Sequence, residues 1–195
     1  MSMPQPRHGR HQDGPKKPLG SDRRPRYSRS VSPLKPPDRH YWEAASGWLD
    51  LGNPREAAAE LDHISPALRE HPAVLEMRWR VHAGEKRWDD ALQVAQRLAR
   101  LVPEDPGGWI DQSYALHELR RTREAWDLLL PIATKFPKVG IIPYNLACYA
   151  CQMGDRAAAR QWLAKAVEVR GKEEIRRMAL KDKDLEPLWP DIRGW

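Results

Sequence analysis

The chain has 195 residues, of which 41% are hydrophobic and 31% charged, enough apolar material for one packed domain and too much for a wholly disordered polymer. Its apolar runs are only a few residues long, which excludes a membrane-spanning helix, and its polar Arg/His/Pro-rich opening lacks the apolar stretch of a secretory signal. Two cysteines cannot frame a disulfide scaffold, so the composition points to a reducing, cytoplasmic setting.

The net charge of +6 is confined to one end. Residues 1–38 hold 9 of the 33 Lys and Arg, 3 of the 27 Asp and Glu, and 8 of the 18 prolines; residues 39–195 hold 24 bases and 24 acids. The first segment has too little apolar surface to offset the entropy of ordering it, so it is expected to be a disordered basic tail, with a short polyproline II stretch near Pro33–Pro37.

From His40 onward, apolar residues recur at helical spacing and no run alternates as a strand would. Four pairs of helices are predicted in chain order. The first uses His40 to Leu51, a turn at Gly52-Asn53, and Pro54 to about His63, where Ser65-Pro66 should cut the helix short. The second runs from Ala73 to about Ala83 and from Trp88 to about Leu101. The third runs from about Gly108 to Leu119 and from Thr122 to about Lys135. The fourth runs from Ile142 to Met153 and from Arg156 to Arg170. Residues 172–180 form an amphipathic helix suited to cover the last pair, followed by a short turn tucking in Leu185, Leu188 and Trp189.

The pairs are copies of one another. Ala57, Ala91, Ala125 and Ala159 are spaced by 34 residues, and the same period carries Leu61, Ala95, Leu129 and Leu163, then Ile64, Leu98, Ile132 and Ala166. Helix stoppers Pro103, Pro137 and Gly171 keep the register, as do the helix openers Pro72, Pro106 and Gly140. Over about residues 39–171 these features resemble the tetratricopeptide repeat family, in its bacterial type. The resemblance implies an all-α, right-handed solenoid of about four helix pairs, closed by a C-terminal capping helix in residues 172–195. The family's first-helix signature is degraded here, most of all in the second copy, where Trp79 replaces a small residue and close helix approach is in question.

The family's architecture implies a concave groove lined by the first helices. Projecting the register gives three columns: Trp42, Glu76, Ile110, Tyr144; then Ser46, Arg80, Tyr114, Cys148; then Leu49, Ala83, His117, Cys151. With Met77 and Asn145 beside them, the candidate partner-binding residues are Trp42, Leu49, Met77, Arg80, Ile110, Tyr114, His117, Tyr144, Asn145 and Cys148. The Lys/Asn/Arg clamp that family members use to grip acidic chaperone tails is missing. An aromatic, apolar surface of this kind suits a peptide or helix of another protein, as in adaptors, chaperone-like proteins or assembly factors.

No catalytic site, metal site or cofactor is expected. Cys148-x2-Cys151 falls in mid-helix with no second ligand pair, and His117 would bring at most a third ligand. Glu76, Asp111 and Glu118 approach one face, but balanced charge on helices ordinarily means solvated surface. No phosphate loop, nucleophile elbow, HExxH zinc site or dinucleotide fingerprint occurs. The alternative role is nucleic-acid association, with tail residues such as Arg7, Arg10, Lys16, Lys17, Arg23 and Arg24 on phosphates and the solenoid recruiting a partner; Tyr27 alone offers a ring for stacking there. The chain is expected to be a monomer or a homodimer.

Overall fold

In a computed structural model the described residues are 32–195, and among them ten α-helices and no strand are found. The expectations for residues 1–31 lie outside the described residues. The helices pair as α1 (Asp38–Asp50) with α2 (Pro54–Asp62), α3 (Pro72–Gly84) with α4 (Trp88–Leu101), α5 (Gly107–Glu118) with α6 (Thr122–Lys135), and α7 (Ile141–Gln152) with α8 (Arg156–Arg170). α9 (Lys172–Ala179), a 3-10 segment (Lys183–Leu188) and α10 (Trp189–Arg193) close the chain.

The alanine column is the seam of the structure. Ala57, Ala91, Ala125 and Ala159 are all completely buried, and the two apolar columns that follow them, on the second helices or, for Ile64, just past α2, are buried too. A second set of columns appears where each first helix nests against the preceding copy. Val74, Gly108 and Ile142 are buried, as are Val81, Ala115 and Tyr149, while their first-copy equivalents His40 and Gly47 are exposed because no copy precedes them. The solenoid thus ends on a polar face at its start.

Local chemistry fixes the boundaries. Asn53 Oδ1 accepts the Glu56 amide with Pro54 at the first helical position, and Asp155 Oδ1 accepts the Ala158 amide at 2.9 Å. α2 stops at Asp62, and Pro66–Leu68 forms a 3-10 turn, in keeping with the break expected at Ser65-Pro66. Asp38 opens α1 and is buried, its carboxylate accepting both the amide and the hydroxyl of Ser65. Residues before Asp38 also touch the first copies: Leu34 packs on the first-copy core, and Ser32 O accepts His71 Nε2–H at 2.8 Å. That bond leaves His71 Nδ1 to accept the Ala73 amide at the start of α3.

Trp79 does not prise the second copy apart. It is 2% exposed and meets the ring of Tyr114 edge-on at 6.3 Å, and Trp88 also meets the Tyr114 ring edge-on at 5.7 Å. Its extra volume bridges the second copy to the third.

Gly108 marks the tightest approach. A Cβ there would stand 2.6 Å from Ala99 N and 2.9 Å from Ala99 Cα, and backbone cannot give way as a side chain does. Gly108→Ala is expected to cost about 1–3 kcal/mol of stability despite alanine's better helix propensity. Gly47→Ala, in open space on α1, is expected to gain about 0.5–1 kcal/mol. Urea unfolding of the two variants beside the parent checks both signs.

Candidate functional site

Neighbouring first helices touch one another (α1 with α3, α5 with α7), whereas the second helices meet mainly their own partners and the next copy's first helix. The stack therefore curves with its first helices on the inner face, and the three projected columns fall there. Trp42, Leu49, Arg80 and Tyr114 are half-buried on that face. Trp42 Nε1 donates to Ala73 O at 2.9 Å, which locks the indole across the first two copies. Arg80 pairs with Asp50 at 3.6 Å and donates to Met77 Sδ.

The other six candidates are buried. Met77 packs with Ala45, Ala57 and Leu61 in the seam between copies one and two, one residue around the helix from the inner face. Asn145 holds the equivalent position in the fourth copy. Ile110 belongs to the main core. Tyr144, Cys148 and His117 are covered by the chain's own C-terminal segment.

That segment lies along α7 on the inner side. Asp182 Oδ2 accepts the Tyr144 hydroxyl at 3.1 Å and stands 3.7 Å from Cys148 Sγ. Asp184 Oδ2 accepts His117 Nε2–H at 3.2 Å, and its carbonyl accepts Gln152 Nε2–H at 3.0 Å. With Nε2 protonated, His117 Nδ1 is left to take the Thr122 hydroxyl at 3.0 Å. Leu185, Leu188 and Ile192 are fully or almost fully buried behind these contacts, and Trp189 Nε1 donates to Ala179 O. Residues of three groove columns, plus Gln152, thus recognise two carboxylates and a carbonyl in cis. The sequence assigns the leucines of this segment to the cover and shows the Asp182-x-Asp184 spacing, but gives Asp182, Asp184 and Gln152 no contact across the groove.

The chemistry of this end is quiet. Burial pushes the Cys151 thiol up, away from a reactive thiolate, and Cys148 is only 4% exposed. Among the described residues no three His, Cys, Asp or Glu side chains gather as metal ligands, and no helix is long and apolar enough to cross a membrane. Of the three acids noted above, Asp111 is buried, while Glu76 and Glu118 are half-buried.

Burial also holds the phenols of Tyr114, Tyr144 and Tyr149 well above their ordinary value, with Glu118 adding to the effect at Tyr114 and Cys148 and Asp182 at Tyr144; the bond to Ser113 opposes it at Tyr149. A phenol that keeps its proton more tightly when folded leaves stability intact below pH about 10 and erodes it as pH rises further. In an alkaline titration at 295 nm, three of the five tyrosines are expected to ionise only as helical signal is lost. Asp182→Ala strips the acceptor from a buried phenol. It is expected to cost about 1–3 kcal/mol and to speed labelling of Cys148 by a thiol reagent, read by mass spectrometry of the labelled peptide.

No family model matches the chain, and no curated protein is similar to it in sequence. Several solved structures share its architecture. MamA RS-1, as the ArsTM double mutant, is similar with a TM-score of 0.61 at 14% identity, covering 72% of this chain and 79% of that one. MamA MSR-1 C2 is similar with a TM-score of 0.58 at 18% identity, covering 70% and 78%. The thermophilic TPR protein TTC0263 of Thermus thermophilus is similar with a TM-score of 0.61 at 17% identity, covering 80% and 95%. A 34-residue repeat sealed by buried alanines, in a backbone that follows these structures over most of its length, gives this chain the tetratricopeptide-repeat fold.

Proposed function

We propose that this chain is a non-catalytic protein-binding module, an adaptor, chaperone-like protein or assembly factor, that holds an apolar peptide or helix of a partner on the inner face of its first three copies. A tetratricopeptide fold supports protein–protein interaction in general. The observation that carries the finer reading is the division of the inner face. Its last copy is filled by residues 182–188, while Trp42, Leu49, Arg80 and Tyr114 remain half-exposed along the rest. Half-buried aromatic side chains held in place by packing lose little entropy on binding, and a guanidinium among them supplies direction. Ser46, half-buried between Trp42 and Leu49 on the same helix, offers a place to block the groove without touching the core.

Peptides selected by display against the full-length chain are expected to lose more than 10-fold in affinity for Ser46→Arg, about 1.4 kcal/mol, with the helical dichroism unchanged. Equal affinity for parent and variant would overturn this reading.

A further inference from the structure

We infer that the partner segment carries a lysine or arginine whose cationic head sits on the Tyr114 ring beside Glu118, while an apolar side chain of the same segment lies against Trp42 and Leu49. The inference rests on the reading that the inner face of the first three copies is the binding surface, and adds the chemistry of what that surface takes.

The open face has charge of one sign to offer. α1, α3 and α5 carry three arginines and six acids, a net of −3. Each arginine is already in an ion pair, Arg39 with Glu43, Arg78 with Asp62 and Arg80 with Asp50. Asp38 and Asp111 are buried, so Glu76 and Glu118 are the half-buried carboxylates beside the groove columns. The cover does not offset them, because it brings Lys181 and Lys183 against Asp182, Asp184 and Glu186. A cleft with one sign of charge and low-dielectric walls concentrates the opposite sign, and an anionic partner would meet arginines that are all engaged.

Tyr114 gives this charge a place to act. It is half-buried on the inner face, and Trp79 and Trp88 pack against its ring at 67° and 69°, which fixes its orientation. Its hydroxyl donates to Glu118, one helical turn further along α5. A fixed aromatic ring with a carboxylate at its edge attracts a guanidinium or ammonium group through the ring quadrupole and through the ion pair together. Trp79, 2% exposed and set between Glu76 and Arg80 in sequence, has an Nε1–H with no acceptor among the described residues, a donor that a main-chain carbonyl of an entering chain would satisfy.

The apolar contact lies at the other end of the open face. α3 separates α1 from α5, so two helix spacings of about 10 Å put Tyr114 about 20 Å from Trp42 and Leu49, the span of about six residues of extended chain.

Peptides selected by display against the full-length chain are expected to be enriched several-fold in Lys or Arg at one position, and to bind several-fold more weakly when salt is raised past the range of screened ion pairs. Replacing that residue by Gln in a selected peptide is expected to cost about 10-fold in affinity for the parent chain and less than about 2-fold for Glu118→Gln, a non-additivity that marks a direct contact. Tyr114→Phe keeps the ring and the carboxylate and is expected to retain the 10-fold cost, which serves as the measurement if Glu118→Gln lowers the helical dichroism. Selected peptides without a basic residue, acidic ones included, would overturn the cationic contact. So would a Gln replacement that costs the parent and Glu118→Gln equally, or a face that selects no peptide because a second copy covers it, seen as a dimer in sedimentation. Peptide binding abolished by Ser46→Arg would survive the first two results, so the two readings fail separately.

Discussion

The structure depends on helices approaching where there is almost no side chain to keep them apart. Four alanines at one register position are buried without remainder, and at Gly108 even a methyl group would strike the backbone of Ala99. Such contacts let each pair expose its flanks to the next, so the core is continuous through neighbours rather than complete within any copy. An architecture of this kind has to solve its two ends separately. The first copy does so with His40, Glu43 and an exposed Gly47 at positions where later copies carry buried residues. The last is covered by α9, residues 182–188 and α10.

The two solutions have different consequences for the inner face. A polar start leaves the groove open at the first copy. The C-terminal cover wraps onto the groove itself, placing Asp182 against Tyr144 and Cys148 and Asp184 against His117. These carboxylates accept the Tyr144 hydroxyl and the His117 ring N–H, so the cover is held by polar recognition as well as by Leu185 and Leu188. Capping and groove shape are therefore one problem at this end, and the usable surface is shifted toward the first three copies.

The helix pairs, the period and the alanine seam were legible in the sequence because each is a local pattern repeated in register. Rotation of a helix by one residue was less so. Met77 and Asn145 lie one position beyond Glu76 and Tyr144, and about 100° of helical turn carries them from the inner face into the seam between copies. The bond between His117 and Asp184 joins residues 67 apart outside the repeat register, so no periodicity announces it. Trp79 looked like a breach of the small-residue rule because its compensation, the ring of Tyr114, sits in the following copy.

The turns within the pairs show how stacking governs local choices. Residues 52, 86, 120 and 154 all take the left-handed conformation, yet they are Gly, Lys, Arg and Gly. The glycines are followed by Asn53 and Asp155, whose side-chain oxygens cap the next helix. After Lys86 and Arg120 the corresponding positions are Arg87 and Arg121, which cap nothing and form exposed ion pairs with Asp90 and Glu124. Exposed pairs of that kind add little, and a left-handed non-glycine residue is strained. The weaker turns belong to copies two and three, which have a neighbour on each side; the stronger ones belong to copies one and four, at the ends of the repeat array. In a chain whose stability is a sum of intrinsic and neighbour terms, local conformational quality matters most where a copy lacks another repeat on one side, as copies one and four do.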